Sequence, residues 1–117
     1  MDVIGVGIAT LDFLLRVPSF KVVLKGCDLV DFDIQGGGMV ATALVTLSKF
    51  GAKTGIITAV GDDHYGNSII SELRMYGVDT SHVKILRGHM STIVFVLVDG
   101  RSGERRFLVL RKLRIYR

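Results

Sequence analysis

Apolar and polar positions along the chain fall into short β-branched runs and two longer segments with a helical repeat. Val3 to Ile8 (Val-Ile-Gly-Val-Gly-Ile) predicts a short buried strand. Phe13 to Val17 is again strand-like, and Pro18 stops it. From Leu29 to Ile34 apolar and acidic residues share faces, which predicts a partly exposed strand. Met39, Val40, Ala43, Leu44, Leu47 and Phe50 then recur at helical spacing, and Gly51 fits the residue just past the helix end. Thr54 to Val60 predicts a second buried strand. A helix follows from about Tyr65 to Tyr76, with Tyr65, Ile69, Ile70, Leu73 and Tyr76 on one face. Asn67, Ser68, Ser71, Glu72 and Arg74 line its other face, and Gly77 closes it. Val83 to Leu86 reads as a third core strand. Thr92 to Val98 and Arg106 to Leu110 bracket a glycine-bearing polar loop and read as a β-hairpin.

This order implies an α/β fold: a parallel sheet with crossover helices, plus a second small sheet built from the strand pair and the hairpin. The chemistry gathers at the start of the first helix. Gly36, Gly37 and Gly38 run straight into it. A glycine-rich turn opening a helix presents free N–H groups and the positive end of the helix dipole, which suits an oxygen-rich or anionic ligand. A tight turn that binds nothing has the same pattern. Asp12 follows the first strand, and ligands of open α/β sheets gather beyond the carboxyl ends of strands. A carboxylate accepts hydrogen bonds from hydroxyls and repels phosphate, so Asp12 points to a neutral polyol. Asp62 or Asp63 is placed to cap the second helix. The glycines follow the second strand of the strand pair rather than the first core strand, which argues against a dinucleotide fingerprint.

Composition narrows this further. The 117 residues make one small domain, and 49% are apolar, enough for a core. Every hydrophobic stretch is interrupted too early to span a bilayer, and no signal peptide is evident, so no membrane partner is expected. The single cysteine, Cys27, cannot form an internal disulfide and fits a reducing cytoplasm. His64, His82 and His89 are scattered over predicted loops, and no metal site is expected. Of the net charge of +4, residues 101–117 contribute seven basic and one acidic side chain. A basic tail can bind nucleic acid, but the body has no nucleic-acid motif or aromatic platform, so none is expected as a partner.

Several segments together resemble the ribokinase-like, or PfkB, family of sugar and nucleoside kinases. They are Gly7 through Asp12, Gly37-Gly38 with Thr42, Leu47 to Gly51, Gly61-Asp62-Asp63 through Gly66, Tyr76 to Thr80, and Ser91-Thr92 leading to Asp99-Gly100. The match is collinear over roughly residues 3 to 110. The resemblance implies the N-terminal part of a ribokinase-like, Rossmann-type three-layer sandwich with a small β-sheet lid. Lid strands are expected near 13–17, 28–34, 92–98 and 106–110, within a partial domain spanning 1–110. The lid would cover a sugar and can form a homodimer interface. Asp12 would accept from sugar hydroxyls, Gly37 and Gly38 would donate backbone N–H groups, and Thr42 would contact the same sugar. Thr10 is a further substrate-binding candidate beside Asp12. Family members commonly carry Asn at the place of Thr42, and ribokinase also carries Asn at the place of Thr10. A hydroxyl is shorter than an amide and cannot bridge two sugar hydroxyls as an amide can.

The complete family enzyme uses ATP and magnesium. It carries, in a second half, a Gly-Ala-Gly-Asp-type segment with the general base and most of the ATP pocket. None of these occurs here, so the expected function is the substrate-binding portion of an ATP-dependent sugar kinase, inactive alone and binding no cofactor tightly. A non-catalytic sugar-binding or lid-dimerisation module is the other expectation. The 111–117 stretch is basic, does not resemble the family continuation, and reads as a truncation or frameshift scar.

Overall fold

The computed structural model describes residues 1–112. In chain order its elements are β1 (Val3–Val6), β2 (Thr10–Val17), α1 (Phe20–Val23), β3 (Asp31–Gly37), α2 (Met39–Lys49), β4 (Thr54–Gly61), α3 (His64–Met75), β5 (Val78–Asp79), β6 (Val83–Leu86), β7 (Ile93–Asp99) and β8 (Arg105–Leu110). They form two four-stranded sheets. The first is parallel throughout: β4 is central, pairing β1 on one side and β5 and β6 on the other. Parallel neighbours require crossovers, and α2 and α3 supply two of them.

Both of these helices pack on one face of the parallel sheet. Ile56 and Val60 of β4, Leu44 of α2, and Ile69, Ile70 and Leu73 of α3 share one buried cluster. A side chain on Gly5 of β1 would stand 2.6 Å from Val40 and 2.7 Å from Leu44, so the glycine lets α2 close on the strand. The opposite face carries no helix among the described residues. Ile4 and Val6 of β1 are therefore 52% and 65% exposed, and Ile57 beside them is 44% exposed. The expectation of a buried first strand is corrected accordingly: β1 ends at Val6 and is covered on one side only.

The apolar stripe of α2 is also rotated from its expected phase. Ala41 and Leu44 are buried, with Val40 and Val45 packed beside them, whereas Met39 and Phe50 are 89% and 84% exposed. Thr42, Thr46 and Lys49 recur at helical spacing on one side of α2, and the buried stripe lies opposite them. α3 keeps its expected face, burying Ile69, Ile70 and Leu73. It begins at His64, which was expected in a loop. Gly51 and Gly77 follow the two helices with φ of +96° and +87°, as their positions predicted.

The second sheet runs β3-β2-β7-β8. β2 pairs antiparallel with β3, and β7 antiparallel with β8, as the strand pair and hairpin predicted. What joins them is a parallel pairing of β2 with β7, Leu11 opposite Ile93 through Val17 opposite Asp99. Phe13 ties this sheet to the helix layer: its ring stacks on Phe95 at 5.2 Å and meets the Tyr65 ring of α3 edge-on at 6.1 Å. α1 was not foreseen. The Asp99 carboxylate accepts from the Phe20 amide at 3.0 Å and from the amides of Arg101 and Ser102 in the β7–β8 loop. These donors, Phe20 first, hold the Asp99 pKa below the ordinary carboxylate value. Of the basic tail, Arg111 and Lys112 are described as irregular chain, and 113–117 lie outside the described residues.

Candidate functional site

The antiparallel register of β2 and β3 assembles the site. Thr10 lies opposite Gly37, and Asp12 opposite Gln35. Side chains two apart on a strand share a face, so Thr10 and Asp12 stand side by side. The Thr10 hydroxyl donates to Asp12 Oδ1 at 2.7 Å. Thr10 itself is 6% exposed, so its contact is chiefly with Asp12. The Asp12 carboxylate occupies the space where a side chain on Gly37 would stand. Two expectations of local structure are corrected here: Asp12 lies within β2 rather than just past the first strand, and Gly36 and Gly37 extend β3 rather than forming the turn. The strand pairing runs on because the glycines have no side chains to displace the carboxylate.

Gly38 alone makes the turn. Its φ is +95°, and a Cβ there would run into the Ile8 carbonyl oxygen. It is the N-cap of α2, and no side chain caps it. The first helical N–H groups consequently lack intrahelical partners. The Thr42 amide closes the first turn on the Gly38 carbonyl at 2.9 Å, and the Thr42 side chain is on the exposed side of α2. Thr10, Asp12, Gly37, Gly38 and Thr42 all line one open cleft of about 580 Å³. Its far end runs between α2 and α3, where Lys49 Nζ lies 4.6 Å over the Tyr76 ring.

Glu72 is among the cleft residues that were not foreseen. Glu72, expected on the solvated face of α3, is half-buried, and its Oε2 accepts from the Gly36 amide at 2.7 Å. Nothing in the sequence signals a pairing between a strand residue and a helix residue 36 positions apart.

A second network sits at the start of α3. Asp63 is the cap of α3, with Oδ1 accepting from the Gly66 amide at 2.8 Å. The same carboxylate accepts from the Ser91 amide at 2.9 Å and the Ser91 hydroxyl at 2.8 Å. Ser91 Oγ in turn accepts from the Gly61 amide at 2.8 Å. Burial pushes the Asp63 pKa up, but the combined Ser91 and Gly66 donors outweigh it and hold the pKa below the ordinary 3.8. Asp62 is exposed, and among the described residues it accepts only from the Gly88 amide.

Comparison with known proteins places this architecture. The pattern described as pfkB family carbohydrate kinase matches residues 2–114. The chain belongs to that family. A 2-dehydro-3-deoxygluconokinase of Thermoproteus tenax is 39% identical over 75 residues, covering 61% of the chain and 23% of the relative. The ribokinase of Haemophilus influenzae is 26% identical over 98 residues, covering 84% of the chain and 32% of the relative. The solved structure of an uncharacterized sugar kinase from Pyrococcus horikoshii matches with a TM-score of 0.78 at 27% identity, covering 95% of the chain and 36% of its own. The same kinase has also been solved in complex with ATP. The chain thus spans about a third or less of the length of these family members, and its fold is the ribokinase fold.

Carboxylate acceptors and backbone donors suit a polyhydroxylated ligand. Asp12 and Glu72 put negative charge on two walls, which is unfit for a triphosphate. Lys49 brings a cationic side chain to the same cleft, and among the described residues no group of three or more His, Cys, Asp or Glu could hold a metal ion. No helix of the described residues is long and apolar enough to cross a membrane.

Proposed function

We propose that these residues form the substrate-binding portion of an ATP-dependent sugar kinase, in which a phosphoryl group passes from ATP to a sugar hydroxyl. The observation that carries this reading is the Asp12 carboxylate, held by Thr10 against Gly37 beside the uncapped start of α2. Asp12 accepts from sugar hydroxyls, Gly37 and Gly38 donate backbone N–H groups, and Thr42 contacts the same sugar. Thr10 contributes by orienting Asp12. The β3-β2-β7-β8 sheet serves as a lid over the sugar or nucleoside.

The chain by itself transfers no phosphoryl group. Transfer depends on positioning and charge stabilisation at the γ-phosphate, and Asp12 contacts hydroxyls away from the one phosphorylated. ATP and magnesium belong to the complete enzyme of a reducing cytoplasm, and this portion binds neither tightly. The bare face at Ile4, Val6 and Ile57 supports the reading of a portion. All-parallel sheets are covered on both faces, so a further layer belongs over these side chains.

One observation favours a second reading, a non-catalytic sugar-binding or lid-dimerisation module. Phe32, Ile34, Leu108 and Leu110 lie on one face of the lid sheet and are each at least 37% exposed. Calorimetric titration with D-ribose, D-fructose and adenosine, beside a light-scattering molar mass, tests both. Binding of one of these ligands, weakened at least about tenfold in Asp12→Ala, is expected from the loss of a charged hydrogen bond. ADP release is expected to stay at background. Turnover by this chain that is lost in Asp12→Ala would overturn the portion reading, and dimerisation without ligand binding would favour the module.

A further inference from the structure

β3 is an edge strand, and its outward amides at Phe32, Ile34 and Gly36 have no neighbouring strand among the described residues. An open edge must dispose of such donors. The first two are satisfied locally: the Phe32 amide donates to the Asp31 carboxylate at 2.8 Å, and the Ile34 amide to the Asp33 carboxylate at 2.9 Å. Each acceptor is the residue immediately before the donor. At Gly36 that device is absent, because the preceding residue is Gln35. The acceptor there is the Glu72 carboxylate of α3, at 2.7 Å. The edge therefore changes partner at the glycine that opens the site. Upstream it is closed by its own side chains, and at Gly36 it is fastened to the helix layer.

Gly36, Gly37 and Gly38 are consecutive, and none has a side chain to hold it. Gly37 is paired with Thr10 across the ladder, and Gly38 breaks away at φ +95°. A charge-assisted bond on Gly36 removes freedom at the point where the strand hands over to the turn. A side chain on Gly36 would stand 2.9 Å from the Glu72 carboxylate, so glycine at 36 and glutamate at 72 fit as a pair. Glu72 also lines the cleft. Among the described residues its Oε1 takes no hydrogen bond, which leaves an acceptor free on that wall.

The geometry points to Glu72 as a positioning residue: its carboxylate fastens the lid edge to α3 at Gly36 and so fixes the course of the Gly37–Gly38 backbone along the cleft wall. The fastening is a property of the free chain, whereas its consequence for a sugar rests on the proposed function above. The two parts are tested by different readouts.

Amide hydrogen exchange followed by NMR reads the fastening directly, with the Ile34 amide, closed by Asp33, as the internal reference. In Glu72→Ala the Gly36 amide is expected to exchange at least about tenfold faster relative to Ile34, given the strength of a charged hydrogen bond. Glu72→Gln keeps an acceptor of the same reach, and its Gly36 amide is expected to stay within about threefold of the parent. Glu72→Asp, one methylene shorter, is expected to behave as the alanine variant. It keeps the test alive should Glu72→Ala not fold. An unchanged Gly36-to-Ile34 ratio in both Ala and Asp variants would overturn the proposal, as would equal loss in Glu72→Gln. Titration with D-ribose or D-fructose then reads the consequence. Weakened binding in Glu72→Ala, restored in Glu72→Gln, supports the positioning role, and unweakened binding in Glu72→Ala overturns it. Should Asp12→Ala bind sugar as the parent does, the sugar-site reading fails, while the Gly36 ratio still decides the fastening.

Discussion

Replacing Asp63 by alanine should be among the most damaging single changes outside the apolar core. The carboxylate holds three chain segments at once: the end of β4 through Ser91 and Gly61, the start of α3 through Gly66, and the approach to β7 through the Ser91 amide. Removing it deletes a helix cap, which typically costs about 1 kcal/mol. It also strands the amide of Ser91, a residue with 0% exposure. A buried donor left without a partner costs about 1–3 kcal/mol. The Ser91 hydroxyl can turn to another acceptor, so no separate cost is assigned to it. Together the loss is about 2–4 kcal/mol, a large part of the roughly 5–15 kcal/mol that holds a small domain folded. Urea unfolding followed by circular dichroism measures it as a drop in midpoint at constant slope. Asp62→Ala is the control: Asp62 is exposed with one bond to Gly88, so its removal is expected to cost less than about 1 kcal/mol. Equal effects of the two substitutions, or a loss below about 1 kcal/mol for Asp63→Ala, would refute the reasoning. The pH dependence adds a second readout of the same group. The folded pKa of Asp63 lies below its ordinary 3.8. Its stabilisation is therefore fully present above that value and lost as pH falls through the folded pKa. Parent minus Asp63→Asn stability should be constant from neutral pH down to about 5 and shrink below about 4.

Three further substitutions probe the glycine turn and the link between sheet and helices. Gly37→Ala displaces the end of a movable side chain, Asp12, so it should abolish sugar affinity in calorimetry at a stability cost of about 1 kcal/mol. Gly38→Ala forces a side chain into a left-handed backbone position and against the Ile8 carbonyl, so urea unfolding should show a loss of about 2 kcal/mol or more. Phe13→Ala removes the ring between Phe95 and Tyr65 and should cost about 2–4 kcal/mol. Its test is a lower urea midpoint together with faster amide exchange across β2 and β7, and an unchanged midpoint would count against Phe13 as the link between sheet and helices.

Element types and most of their order are readable from the chain alone. Alternation and β-branching marked the strands, and Gly51 and Gly77 marked where the helices end, because left-handed backbone there is costly for any residue with a Cβ. Asp63, one of two candidates for the cap of α3, was also readable from local spacing. The glycine stretch with Asp12 pointed to a polyol cleft, and the collinear motifs pointed to the family. Three things were decided only by tertiary structure. The close approach of α2 to β1 depended on Gly5 lying under Val40 and Leu44, a contact set by packing rather than by any local pattern. The continuity of the second sheet depended on β2 pairing with β7, a parallel contact across some eighty residues that no local pattern encodes. Glu72 entered the cleft because an edge strand ran out of local acceptors at Gly36, and α3 happened to pass within reach. Local patterns fix φ, ψ and hydrophobic period, which are properties of neighbours in the chain. Which distant groups satisfy each other's hydrogen bonds is set by how the elements pack, and the site at Gly36 to Gly38 is made of both.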